Sequence, residues 1–268
     1  MIWSDVEQSF SRAVAFSFSK KKMLLTFPTL ALCGMMAVFC RAVAFDASDW
    51  VAMSLGFLPI LVSSGVLLAL GVLLIRIHYH EVKGLHLSFK RLLSGSIDLL
   101  MGTSYLSVPP ILAYFFLWMA LGVFYLLGEI PGIGGFFSSV LAFGPFLLVF
   151  GAILLCLFNI ALLFFVAPIV AAQGTKRISI TKRLFGFFQG KILTSIALFF
   201  LALTPILFTT GLLILAAFLS STVQEKSLSV AIQWFFVMLP FSFVLTPAVI
   251  FFFNFAAESY QLLQPKHS

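Results

Sequence analysis

The chain has 268 residues, of which 62% are hydrophobic and only 9% are charged, and its mean hydropathy is +1.14. An average soluble domain carries roughly 25% charged residues, so this composition cannot supply the polar surface that a water-soluble globule needs. A soluble enzyme, a nucleic-acid-binding module and a disordered chain are therefore excluded as descriptions of the whole sequence. An integral membrane protein remains.

Long apolar segments recur along the chain, and a bilayer-spanning helix needs about 20 mostly apolar residues. Six segments approach or exceed this length: 23–40, 51–75, 99–127, 140–169, 192–218 and 228–256. Lipid-exposed backbone must satisfy its own hydrogen bonds, which favours helices. The sequence thus predicts an all-α bundle of six transmembrane helices, one integral membrane domain over 1–268. The first segment is too long for the apolar part of a signal peptide, so we expect it to be retained.

The basic residues are distributed unevenly among the segments that connect the predicted spans. Fourteen of the sixteen lie in the two terminal segments and in the second and fourth connections, whereas Arg41 and Lys226 lie on the other side. The positive-inside rule therefore predicts cytoplasmic termini in a bacterial inner membrane. Basic juxtamembrane segments also account for the high pI. We expect contact with anionic lipid headgroups at the cytoplasmic face and no nucleic-acid partner.

Three cytoplasmic segments share a polar–basic–apolar order, at 9–14, 88–93 and 180–185. Each precedes a predicted span that contains proline, which indicates a degenerate threefold repeat of one amphipathic segment and two spans. We expect the three segments to be interfacial helices on the cytoplasmic leaflet. They either orient the bundle or form a docking surface for a cytoplasmic partner. The candidate interface anchors are Arg12, Arg91 and Arg183.

The first amphipathic segment has the pattern of a short helix. Ser4 precedes Glu7 by three residues, which is the spacing of a capping box. Apolar residues then recur at steps of three and four, so we expect one helix face to carry them. They are Trp3, Val6, Phe10, Ala13 and Val14.

Several short motifs resemble those of a known group of bacterial membrane proteins. The run FVAPIVAAQG at 165–174 leads into TKRLFG at 181–186, and EIPGIGG at 129–135 precedes the fourth span. These motifs resemble uncharacterised six-helix families similar to the membrane domain of glycerophosphodiester phosphodiesterases. Gln173 departs from the pattern, because an acidic residue often precedes that glycine. The resemblance implies a membrane architecture and carries over no catalytic residue.

The interiors of the predicted spans hold few polar groups. We find no acidic or basic residue there, and we expect Glu258, at a predicted edge, to reach the membrane surface by snorkelling. The amides of Asn159 and Asn254 are expected to form interhelical hydrogen bonds. A role for Asn159 in lining a substrate path is the alternative. The absence of charge within the spans argues against ion-coupled transport.

Prolines lie in or at the ends of most predicted spans. Each one removes a backbone donor, which favours a kink or a helix break. Pro109 and Pro110 are the most disruptive pair, and the third segment is either continuous through them or a shorter span joined to an interfacial piece. Pro168 is a further candidate helix break. Kinked helices can build transport sites, although prolines are common in membrane helices.

The sequence HYHE at 78–81, with His86 nearby, is the one metal-like cluster. His78 and His80 would point in different directions on a helix, whereas a helical zinc pair needs an offset of four residues. No motif for a nucleophile, a phosphate loop or a metal is recognised. We therefore predict no catalytic, metal-binding or cofactor-binding residue, and no cofactor.

These observations predict a non-enzymatic multi-pass membrane protein that acts in the cell envelope through contacts with lipid, a protein partner or a second copy of itself. Two alternatives stay open at this point. The first is a transporter or channel for an apolar or lipid-like solute, which kinked helices without buried charge would suit. The second is a membrane-embedded enzyme that uses the interfacial histidines.

Overall fold

The computed structural model describes residues 3–84, 102, 105–132, 134–135, 143–173, 192–219 and 228–263. Within them seven α-helices have defined bounds: α1 Trp3–Ala15, α2 Lys20–Val43, α3 Asp49–Val82, α4 Val108–Gly128, α5 Phe143–Gln173, α6 Ile192–Leu219 and α7 Leu228–Leu263. Short 3₁₀ turns at Ala44–Asp46 and Tyr105–Ser107 precede α3 and α4. The second and third predicted amphipathic segments, with Arg91 and Arg183, lie outside the described residues.

Helices α2 to α7 are each long and apolar enough to cross a membrane. The described part of the chain contains no strand. These two findings confirm the predicted all-α bundle and a multi-pass membrane protein. The surface agrees with this description, because Leu193, Phe208 and Phe218 on α6 are largely exposed, as expected for side chains whose neighbours are lipid tails.

The helix ends differ from the predicted spans at several points. α3 continues to Val82 and α7 continues to Leu263, each about two turns beyond the predicted apolar segment. Glu81 and Glu258 therefore lie inside helices and not in loops. α4 begins only at Val108, with Pro109 and Pro110 in its first turn, where the missing N–H groups have no helical acceptor to serve. The proline pair starts this helix instead of breaking it.

Helix α7 lies at the centre of the bundle and contacts α1, α2, α3, α5 and α6. Its segment from Ala248 to Tyr260 is buried throughout. Close approach to α3 depends on Gly71, because a Cβ atom at that position would collide with the ring of Phe253. The C-terminal half of α7 is thus surrounded by other parts of the protein.

Helix α1 packs its apolar face against α7. The ring of Phe10 makes edge contacts with Phe251 and Phe255, at centroid distances of 5.0 and 6.0 Å. Ala13 is fully buried, whereas Val14 is exposed. Val14, which follows Ala13 by a rotation of about 100°, lies at the border of the predicted apolar face and stays 40% exposed.

Candidate functional site

A cluster of charged and polar side chains lies buried where α1, α2, α3 and α7 meet. We call it the Lys22 cluster. Lys22 comes from the first turn of α2, and the helical spacing of three or four residues brings the other members together in pairs on α3 and α7. Lys22, His78 and Asn254 are fully buried, and Glu258 is 3% exposed. The members are Lys22, His78, Glu81, Asn254 and Glu258.

The ammonium group of Lys22 is the centre of the cluster. Its Nζ forms a salt bridge with Oε2 of Glu81 at 2.8 Å and donates a hydrogen bond to Oδ1 of Asn254 at 2.9 Å. The carbonyl oxygen of Phe16 and the Nδ1 atom of His78 each lie 3.5 Å away. An ammonium has three donors, so these contacts use its full hydrogen-bonding capacity without water.

The neighbours of His78 determine its tautomer. Nδ1 faces the ammonium of Lys22, which is only a donor, so Nδ1 has to accept. The ring proton is then on Nε2, which donates to Oε1 of Glu258 at 2.9 Å. The ring of His78 thus lies between the ammonium of Lys22 and the carboxylate of Glu258 and contacts both. The hydroxyl group of Ser19 donates a hydrogen bond to Oε1 of Glu81, the second acid of the cluster, at 2.8 Å.

The cluster also caps the C-terminal end of α1. The last carbonyls of a helix lack helical donors and carry partial negative charge. Nδ2 of Asn254 donates to the carbonyl of Ala13 at 3.3 Å, and the Lys22 ammonium lies beside the carbonyl of Phe16. Arg12 adds a salt bridge to Glu258 at 3.8 Å. Side chains from α2 and α7 thus hold α1 in place.

The charges of this region balance one another. Lys22 and Arg12 are positive, and Glu81 and Glu258 are negative. A buried charge is tolerated when it is paired and its hydrogen bonds are satisfied. Removing one partner of a buried pair leaves the other uncompensated, at a cost of about 3–5 kcal/mol. Loss of the buried charge of either Lys22 or Glu258 is therefore expected to destabilise the contact among these helices.

A second cation caps another helix in the same manner. Nε of Arg76, on α3, donates to the carbonyl of Ala171 in the last turn of α5 at 3.5 Å. Arg76 was expected in a connection between spans, but α3 extends past it to Val82. Basic side chains on α2 and α3 thus interact with the carbonyl ends of α1 and α5, which the helix dipole favours.

The candidate residues named from the sequence occupy different places. Arg12 lies at the rim of the Lys22 cluster, and its side chain is 45% exposed. Nδ2 of Asn159 donates to Oγ of Ser64 at 2.7 Å, which links α5 to α3 away from the cluster. Pro168 is buried within α5. The structure does not bring these three residues together.

One interpretation from the sequence is wrong. Glu258 does not snorkel to the membrane surface, because it is buried and paired with His78 and Arg12. Lys22, Glu81 and Glu258 all lie outside the predicted apolar segments and within about two turns of a helix end. The useful sequence signals were the i, i+4 pair Asn254–Glu258 and the i, i+3 pair His78–Glu81, each of which shares one helix face.

The described residues contain no group of three or more His, Cys, Asp or Glu side chains that could hold a metal ion. His78 is engaged with Glu258, and His80, two residues further along α3, is partly buried. The chemistry that the cluster supports is therefore the pairing of charges and the capping of α1. Comparison of the chain with protein-family models, curated proteins and solved structures finds no match. The resemblance to the membrane domain of glycerophosphodiester phosphodiesterases stays a prediction from short motifs.

Proposed function

We propose that this chain is a non-enzymatic multi-pass protein of a bacterial inner membrane, with both termini in the cytoplasm, that acts through contacts of its cytoplasmic end with anionic lipid or a protein partner. The observation that carries the proposal is the attachment of α1 to the bundle. The contacts of Asn254 with Ala13, Lys22 with Phe16 and Arg12 with Glu258 all fix the C-terminal part of α1. A helix held this firmly is suited to presenting a surface.

The outward face of α1 is polar. Glu7, Gln8 and Ser11 are exposed, whereas Val6 and Ala13 are buried against the bundle. The next helix begins with the exposed residues Lys20 and Lys21 and the buried Lys22. Exposed lysines beside a fixed amphipathic helix favour contact with anionic headgroups. The polar face of α1 is then available for a protein on the cytoplasmic side.

The contacts of the polar side chains favour this proposal over catalysis or transport. The donors of Lys22, His78 and Asn254 are directed at other groups of the protein. The amide of Asn159 is likewise engaged with Ser64, in the contact between two helices. A substrate-binding site needs polar atoms that are available to the substrate. The polar atoms of these side chains instead form hydrogen bonds between helices.

Labelling of single cysteines with a membrane-impermeant maleimide tests the orientation and the presented face together. The background carries serine at Cys33, Cys40 and Cys156. We expect Ser11→Cys to react in inside-out vesicles and not in intact spheroplasts, while Ala13→Cys stays protected in both. Labelling of Ser11→Cys from the outside would contradict the proposed orientation. Turnover of a solute or lipid probe by the purified protein in liposomes would contradict the non-enzymatic, non-transporting role.

A further inference from the structure

An open cleft lies between α2 and α3, far from the Lys22 cluster. Its volume is about 490 Å³, and its walls are apolar apart from Arg41. Arg41 lies in the last turn of α2, whereas Lys22 lies in the first. At a rise of about 1.5 Å per residue, these two cations are separated by about 28 Å along the helix. The cleft is therefore at the opposite end of the bundle.

Small residues open this cleft. Ala37 contributes from α2, and Ala52 and Gly56 contribute from α3. Gly56 is informative because a Cβ atom built on it would meet no atom within 4 Å. The two helices do contact one another elsewhere, and the side chains that the structure describes leave this region unfilled. In a bilayer, apolar walls of this kind are covered by hydrocarbon.

The charge of Arg41 indicates which class of amphiphilic ligand the cleft can bind. Arg41 is exposed, and no side chain that the structure describes forms a salt bridge with it. A guanidinium group matches the geometry of a phosphate, to which it can donate two parallel hydrogen bonds. Pockets with apolar walls and one well-placed polar group fix the orientation of an amphiphilic ligand. A zwitterionic lipid would bring an ammonium close to the same arginine, whereas an anionic lipid would not.

We propose that the cleft binds an anionic phospholipid, with an acyl chain between α2 and α3 and the headgroup phosphate on the guanidinium of Arg41. This site is separate from the cytoplasmic contacts proposed above. The cleft lies at the end of the bundle that carries few basic residues. Arg41 there would bind one lipid molecule, because a single cation adds little general attraction to the membrane. The proposed lipid site can therefore be tested independently of the role proposed for α1.

Native mass spectrometry of the detergent-purified full-length protein tests the headgroup. Phosphatidylglycerol and phosphatidylcholine are added separately at equal concentration. The wild type binds phosphatidylglycerol more tightly, and Arg41→Gln lowers that affinity about tenfold, as expected for the loss of a charge-assisted hydrogen bond. Lys83→Gln, an exposed cation at the other end of α3, leaves it unchanged. Equal affinity of wild type and Arg41→Gln for phosphatidylglycerol would overturn the proposal.

A second pair of variants tests the cleft itself. Gly56→Leu places a side chain in the open space, whereas Gly211→Leu adds the same side chain on the exposed face of α6, where a Cβ atom also meets nothing within 4 Å. Gly56→Leu loses the bound phosphatidylglycerol and Gly211→Leu retains it. Equal retention by both variants contradicts the assignment. If Gly56→Leu does not fold, the affinity of Arg41→Gln for phosphatidylglycerol tests the proposal by itself. Release of the lipid by millimolar inorganic phosphate would instead identify a free-anion site and overturn the proposal.

Discussion

Nζ of Lys22 donates a hydrogen bond to Oδ1 of Asn254 at 2.9 Å, across 232 positions of the sequence. This bond joins the first turn of α2 to the buried part of α7. The other amide atom of Asn254, Nδ2, donates to the carbonyl of Ala13 in α1. One asparagine thus links the first two helices of the chain to the last, and the charges around it determine how strongly they are linked.

Replacement of the buried lysine is expected to destabilise the whole bundle. Lys22→Met keeps the aliphatic volume but leaves the carboxylate of Glu81 without its cation, so the free energy of unfolding falls by about 3–5 kcal/mol. Lys21→Met is the matched control, because Lys21 is exposed and a surface substitution changes stability by about 0.5 kcal/mol or less. Unfolding in mixed micelles with increasing SDS measures both. Equal losses in the two variants would contradict a structural role for Lys22.

Glu258 accepts a hydrogen bond from His78 and forms a salt bridge with Arg12, and two substitutions separate these contributions. Glu258→Gln keeps an oxygen that accepts from Nε2 of His78 but removes the charge that attracts Arg12, so we expect a loss of about 1–2 kcal/mol. Glu258→Leu removes the same charge and in addition leaves the buried Nε2 donor of His78 unsatisfied, and should cost about 3–5 kcal/mol. Glu7→Gln on the exposed face of α1 is the control. The same unfolding assay applies, and a Glu258→Leu variant as stable as Glu258→Gln would refute the pairing.

Close packing of α3 on α7 makes Gly71 sensitive to the smallest side chain. Gly71→Ala brings a methyl group into the ring of Phe253, and overpacking of this kind costs about 1–3 kcal/mol. Gly211→Ala in α6 meets open space and should gain up to about 1 kcal/mol from helix propensity. The two alanine variants are therefore expected to change the midpoint of thermal unfolding in opposite directions. An unchanged or higher midpoint in Gly71→Ala would mean that α3 and α7 are not in close contact at this position.

The hydrogen bond between Asn159 and Ser64 is expected to contribute modestly. Bonds between membrane helices are worth about 0.6–2 kcal/mol, so Asn159→Ala and Ser64→Ala should each reduce stability by an amount in that range. The double variant should lose less than the sum of the two, because both single changes remove the same bond. Additive losses in the unfolding assay would show that the two side chains do not interact.

The apolar sequence pattern was sufficient to predict the six spanning helices, because a membrane requires unbroken apolar segments of a known length. It did not predict where α3 and α7 end. Arg76, His78 and Glu81 are typical of a polar connection, and only neighbouring helices make it favourable to continue α3 through them. Tertiary contacts supplied by α2, α5 and α7 compensate for their burial.

The Lys22 cluster was harder to predict for a related reason. Lys20, Lys21 and Lys22 form a uniform basic run in the sequence, and the run was interpreted as a determinant of topology. Each residue of a helix is rotated by about 100° from the one before, so only one of the three faces α7. Which one it is depends on partners such as Asn254, more than two hundred residues away. Sequence periodicity within one helix contains no such information.

The most direct test of the central claim is hydrogen–deuterium exchange of the backbone amides of α1, measured by mass spectrometry on the full-length protein in detergent. If the Lys22 cluster holds α1 on the bundle, these amides exchange slowly in the wild type and in Lys21→Met. They exchange at least about tenfold faster in Lys22→Met, because an opening free energy lowered by about 1.4 kcal/mol raises the open population tenfold. Equal exchange of α1 in Lys21→Met and Lys22→Met would contradict the account.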